Sequence, residues 1–201
     1  MEPRRQHDFA ESISREDINK LPLRRYSGAV HVVDNASDVG SVLRRLKGET
    51  LLGFDTETRP AFTKGRSNPP ALVQLAASDV VYLFQLKRTK LPKGLRRIFS
   101  DPGILKVGVG LDYDLRKLKE LAEFEPAGLV ELGAITDNLG IQNNGLRGLT
   151  AILLGFRISK RARLSNWNND RLSQAQITYA ATDAWVSREM YVRLLEGNLI
   201  E

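Results

Sequence analysis

Cysteine is absent from the 201 residues. Disulfides, thiolate zinc sites and a cysteine nucleophile are excluded together, and a chain without cysteine fits a reducing compartment, so a cytoplasmic location is the expectation. No apolar run approaches the ~18 residues of a membrane span, and no membrane association is expected. The N-terminal stretch MEPRRQHDFAESISRED has arginines but no apolar core behind them, which is not the pattern of a secretory signal. Residues 1–28 read as a polar leader, partly disordered, ahead of a domain over residues 29–201. There is no internal repeat.

What is present describes an ordinary globular chain. With 42% hydrophobic and 27% charged residues, its 201 positions suffice for one well-cored domain and are short for two. Lys and Arg number 30 against 24 Asp and Glu, a net charge of +6 that gives modest support to a polyanionic partner. The excess is local, in KRTKLPKGLRR (87–97), in SKRAR (159–163), and at Lys64 and Arg66 of the loop FTKGRSNPP. A charge run is as often a solvated face.

Helical and strand signals alternate along the chain. Ser14-Arg15-Glu16-Asp17 starts a short capped helix and AVHVV (29–33) a strand. Val39, Val42, Leu43 and Leu46 recur at helical spacing after Ser37 and stop at Gly48. LLGFDTE, ALVQLAA (71–77) and VVYLFQL (80–86) predict three strands whose short connections favour antiparallel neighbours. A short basic helix after Pro92 leads to the strand ILKVGVG (104–110). Helices are expected near 112–122, 131–139 and 146–154, and a long one runs from Ser173 to Glu196. The pattern predicts one α/β domain, a mixed sheet flanked by helices. Residues 155–172 read as a loop long enough to be functional.

Three stretches carry chemistry. In LLGFDTET, Asp55 and Glu57 lie two apart on a strand, so both carboxylates leave the same face. Like charges raise each other's pKa unless a cation intervenes; the bland alternative is a solvated pair at a strand end. In KVGVGLDYDLRKL, the N-cap role fits Asp112 and leaves Asp114 in the first turn free for chemistry, although acids are favoured at any helix start. A dinucleotide-binding loop is disfavoured because Tyr113 stands where a third glycine is needed. In TYAATDAW, the Ser173/Gln176 capping box sets the helical register and stacks Tyr179 over Asp183 at i and i+4. The bland alternative makes Tyr179 core and Asp183 an exposed acid.

In order, FDTET, VGVGLDYDLRKL and YAATDAW, with LSNW (164–167) before the last helix, resemble the DEDD exonucleases of the ribonuclease D and Werner-type group, in the subclass with tyrosine in the third motif. The resemblance spans residues 29–195. It implies a ribonuclease H-like fold and places the four family acids on Asp55, Glu57, Asp114 and Asp183 and the tyrosine on Tyr179. Both histidines, His7 and His31, lie far upstream, so the sister subclass with histidine does not apply. By the same resemblance, Asp55, Glu57 and Asp183 hold one magnesium or manganese ion, and Asp55 bridges to a second that Asp114 supports. Tyr179 positions the attacking water, and Glu57 with the backbone near Thr56 meets the terminal 3' hydroxyl.

The implied reaction is removal of nucleoside 5'-monophosphates from the 3' end of single-stranded RNA or DNA. Larger relatives carry further nucleic-acid-binding domains, so grip is expected here from the catalytic face. The three basic segments, Lys64 and Arg66 among them, and a stacking Trp167 are the candidates, though Trp167 is as readily a core residue. An oligomer could enlarge that surface. Two other readings share most of the features: an inactive nucleic-acid-binding module and a two-metal phosphatase acting on nucleotides.

Overall fold

The computed structural model describes residues 7–61 and 67–200. AVHVV forms β1 (Ala29–Val33), whose partly exposed, alternating burial marks it as an edge strand. After α2 (Ala36–Leu46), capped by the Asn35 side chain, come β2 (Leu51–Thr58), β3 (Pro70–Ala76) and β4 (Val80–Gln85). All residues of β3 and β4 are buried, as continuous apolar runs covered on both faces should be. The short α3 (Leu86–Thr89) and basic α4 (Lys93–Phe99) lead to β5 (Leu105–Gly108), α5 (Leu111–Lys119), β6 (Leu129–Glu131) and α6 (Leu132–Asn138). Then follow α7 (Leu146–Leu154), the irregular stretch 155–173 and α8 (Gln174–Glu196).

The strands form one sheet in the order β1-β4-β3-β2-β5-β6. The pairs β2/β3 and β3/β4 are antiparallel and the other three are parallel, so the sheet is mixed, as expected. Two short elements, α3 and β6, were not expected, since three or four residues carry too little periodicity to register.

Helices cover both faces. On one, Val42 and Leu46 of α2, Leu95 and Phe99 of α4 and Leu115 and Leu118 of α5 bury Leu52, Phe54 and Val73 of the sheet. On the other, Ala180, Ala181 and Ala184 of α8 lie on Leu72, Ala76 and Leu83, and α7 packs alongside through Leu149 and Leu153. The small side chains let α8 approach closely. At Gly53 a Cβ would collide with the Ala184 carbonyl oxygen, so a glycine there brings the α8 backbone down onto β2.

Residues 7–28, the described part of the expected leader, pack against the domain. Ser14 caps α1 (Arg15–Lys20), which buries Ile18, and the Asn143 amide accepts from Ile13 N at 2.9 Å and donates to Ile13 O at 3.3 Å. Further on, Arg157 N donates to Pro22 O at 3.0 Å, Arg24 N to Arg157 O at 2.9 Å, and Tyr26 N to Thr182 Oγ1 at 3.0 Å. The fastening is largely main-chain hydrogen bonding, which polar composition does not reveal.

Candidate active site

Alternation along β2 sorts the site residues. Phe54 and Thr56 face α5, whereas Gly53, Asp55 and Glu57 face α8. The close approach of α8 then brings Asp183, only 4% exposed, against the two strand carboxylates. Oxygens of Asp55, Glu57 and Asp183 all lie within 4.8 Å of one another. Asp114 comes from the first turn of α5 on the other side of β2, where its Oδ1 accepts from Thr56 Oγ1 at 2.7 Å. Thr56 N also donates to Asp55 Oδ1 at 2.8 Å, so one residue steadies two of the acids. Tyr179 sits one turn before Asp183 on α8, its phenol beside that carboxylate.

Asp55, Thr56, Glu57, Tyr179 and Asp183 open into a cavity of about 820 Å³. Its walls include Ile13, Arg15 and Ile18 from the N-terminal segment, Arg147 from α7, and Lys160 and Arg163 from the loop before α8. The floor is acidic and the walls are basic.

Every acid is pushed towards its neutral form. Burial, then the charges of Asp114, Asp183 and Glu57, raise Asp55 far above the usual carboxylate range. Burial, then Asp183 and Asp114, lift Glu57 to about 9 against the opposing charge of Arg163. Burial raises Asp183 to about 7, with the neighbouring Tyr179 phenol opposing, and Asp114 to about 6, with the Thr56 hydrogen bond opposing. Burial and the neighbouring Asp183 also raise the Tyr179 phenol, which stays protonated at neutral pH. Among the described residues the buried Asp183 Oδ1 has no hydrogen-bond donor. Hard divalent cations take oxygen ligands, so this carboxylate set fits magnesium or manganese.

Unfolded, the same carboxyls titrate near 4. Between about pH 4 and about pH 9 the metal-free folded state therefore holds more protons than the unfolded state, and stability falls as the pH rises through that window. We expect the melting temperature in chelator to drop from pH 5 to pH 9 by on the order of 5 °C, and saturating manganese to restore it at the alkaline end. Thermal melts with and without metal check this. A melting temperature that climbs in chelator over the same window would contradict the electrostatic account.

A family model described as 3'-5' exonuclease matches residues 30–197, most of the chain. The chain belongs to the DEDD 3'-5' exonuclease family. This exonuclease-family chain is 31% identical over 191 residues to the bifunctional 3'-5' exonuclease/ATP-dependent helicase WRN of Mus musculus, covering 90% of the chain and 14% of that protein. It is 33% identical over 172 residues to ribonuclease D of Gluconacetobacter diazotrophicus, covering 82% of the chain and 42% of that enzyme. The chain thus spans less than half the length of either relative. Among solved structures, the Aedes aegypti Nibbler EXO domain superposes with a TM-score of 0.77 at 23% identity, covering 87% of this chain and 91% of that one. That likeness establishes the fold.

Several expectations for the exonuclease-family chain need amendment. Trp167 is 1% exposed, its ring 5.9 Å from that of Tyr179 and its Nε1 donating to Arg163 O, so no face is left for a base to stack on. It is a core residue that backs Tyr179. Lys64 and Arg66 lie outside the described residues. Asp112 is not the N-cap of α5. That place belongs to Gly110, at φ +80°, and the helix starts one residue earlier than Asp112. Its free amides are met from a distance instead: Glu131 accepts from Gly110 N at 2.9 Å and from Leu111 N at 2.8 Å. Arg163 belongs to the basic run SKRAR expected to grip substrate, whereas nothing in the spacing of Glu131 or of the N-terminal wall ties them to the acids.

Proposed function

We propose that this chain removes nucleotides from the 3' end of single-stranded nucleic acid and releases nucleoside 5'-monophosphates. The observation that carries it is the carboxylate cluster of Asp55, Glu57 and Asp183, oxygens within 4.8 Å, at the floor of a basic-walled cavity. Asp55, Glu57 and Asp183 would hold one divalent cation and Asp55 with Asp114 a second. Such ions, when bound, activate water, neutralise the scissile phosphate and stabilise the leaving 3' oxygen.

The chain's own residues do the rest. Tyr179, kept protonated, acts as a hydrogen-bond donor that orients the attacking water rather than as a base. Thr56 holds Asp114 in place through its hydroxyl, and its backbone, with Glu57, meets the terminal 3' hydroxyl. Arg163 balances part of the negative charge beside Glu57 and offers its guanidinium to a substrate phosphate. Lys64 and Arg66 are assigned to substrate phosphates on charge alone.

The test is product analysis on a 5'-labelled single strand with magnesium or manganese, in matched RNA and DNA. A ladder shortening from the 3' end is expected, blocked by a 3' phosphate and indifferent to a 5' phosphate. An untouched strand in metal would make the protein a binding module, and loss of a terminal phosphate alone would make it a phosphatase.

A further inference from the structure

Beside the acidic site lies a second cavity, of 610 Å³, between the N-terminal segment, the loop before α8 and the first turns of α8. Arg24, Arg25 and Arg161 line it, together with the apolar Leu23, which is 55% exposed. None of its described lining residues is an acid. Ser159 and Tyr179 line both this cavity and the acidic one, so the two are neighbours that share a wall at the tyrosine.

What marks these three arginines is that they share one cavity, since other exposed cations such as Lys90, Lys93 and Arg97 are likewise outside any ion pair among the described residues. Arg45 is paired with Asp79 at 3.2 Å, and Lys87 and Arg88 share Asp170 at 2.6 and 3.8 Å, which partly neutralises the basic run at 87–97. Arg24, Arg25 and Arg161 have no carboxylate within ion-pair reach among the described residues. Exposed like charges gathered without counter-charges repel one another, and the arrangement relaxes when a polyanion binds.

The cluster is also held in place. The Arg24 guanidinium sits over the Phe156 ring, 5.4 Å from its centroid, which occupies one planar face and leaves the edge donors free. The backbone on either side is tied down by the Pro22 and Arg24 bonds to Arg157 and by the Tyr26 bond to Thr182 of α8. Less side-chain and loop freedom is then lost when a ligand binds.

We infer that this cavity is the path of the sugar-phosphate backbone of a single strand as it approaches Tyr179, with Arg24, Arg25 and Arg161 on successive phosphates and Leu23 against a base. The inference rests on the exonuclease reading of the neighbouring site. A phosphate-bearing strand fits better than a lone anion because the cations are spread along a cavity with an exposed apolar side chain in it. The N-terminal segment thereby becomes part of the substrate grip.

The experiment uses Asp55→Asn protein as host, so that strands stay intact, and follows fluorescence anisotropy of a labelled trinucleotide and a labelled twelve-nucleotide single strand. Into that host go Arg24→Ala with Arg25→Ala, and separately Arg161→Ala, with Arg161→Lys as a charge-preserving control. We expect the gain in affinity from the short to the long strand to shrink by about tenfold or more at low salt. The slope of log affinity against log salt should flatten by ~0.7 for each phosphate contact removed. Arg161→Lys should retain most of that gain. Equal losses on both lengths, or an unchanged salt slope, would overturn the path, since a merely structural role for the arginines moves both strands alike. If arginine-dependent binding persists while the protein with Asp55 intact leaves strands uncut, the path stands and the exonuclease reading falls. If cutting is seen without any arginine dependence, the reverse holds.

Discussion

Asp55→Asn is expected to reduce cleavage by on the order of 1,000-fold or more. On the proposed mechanism Asp55 is the acid that would touch both cations, and a bound cation supplies several kcal/mol of transition-state stabilisation. At ~1.4 kcal/mol per decade of rate, losing the shared ligand removes at least three decades. The same change should not unfold the protein. Burial first, and then the neighbouring carboxylates, hold Asp55 and Glu57 high, and an amide takes one ionisable group out of that buried cluster. The metal-free variant should therefore melt above the parent at pH 8, while losing most of the parent's gain on adding manganese. Single-turnover cleavage and paired melts in chelator and in metal decide it. A variant that cleaves at the parental rate would remove Asp55 from the mechanism.

Tyr179→Phe is expected to slow the chemical step by roughly 100- to 10,000-fold, the range for a positioned acid-base or orienting group. Metal binding at pH 8 and strand binding should survive. The ring itself is a packing element, resting near Trp167, and phenylalanine keeps that contact. What goes is the hydroxyl, which is held protonated by burial beside Asp183. Asp183→Asn makes the contrasting case, because an amide is a poorer ligand for a hard cation and metal affinity should fall with the rate. Calorimetric titration of manganese beside single-turnover cleavage separates the two. Parental cleavage by Tyr179→Phe would leave the residue with packing alone.

Much of the fold was legible locally. The alternating apolar runs, the Ser173/Gln176 capping box and the Gly48 stop each report on a few neighbouring residues, and the corresponding strands and helices lie where those signals put them. Asp112 is no cap for the complementary reason: the helix starts before it, behind Gly110, and the amides of Gly110 and Leu111 there are bound by Glu131, about twenty residues on, from the next strand of the sheet. Trp167 was undecidable between core and stacking platform because burial is a property of what packs over a residue. Residues 7–28 look like a leader by composition, yet they are fastened by backbone hydrogen bonds that no side chain advertises.

By itself, the sequence determined the ingredients: two carboxylates on one face of a strand, an acid at a helix start, and a tyrosine stacked on an acid one helical turn later. Each is a short-range relation set by strand or helix geometry. Only the tertiary structure decided that they meet. A glycine at position 53 and three alanines on α8 let that helix descend until Asp183 reaches Asp55 and Glu57, while Asp114 arrives from the opposite face of β2. Tertiary packing likewise sorted the basic residues, pairing Lys87 and Arg88 with Asp170 and gathering Arg24, Arg25 and Arg161, outside any ion pair among the described residues, in the cavity beside Tyr179. Charge is a count along a chain, whereas a field depends on which charges share a low-dielectric cleft, and that is settled only when distant segments fold together.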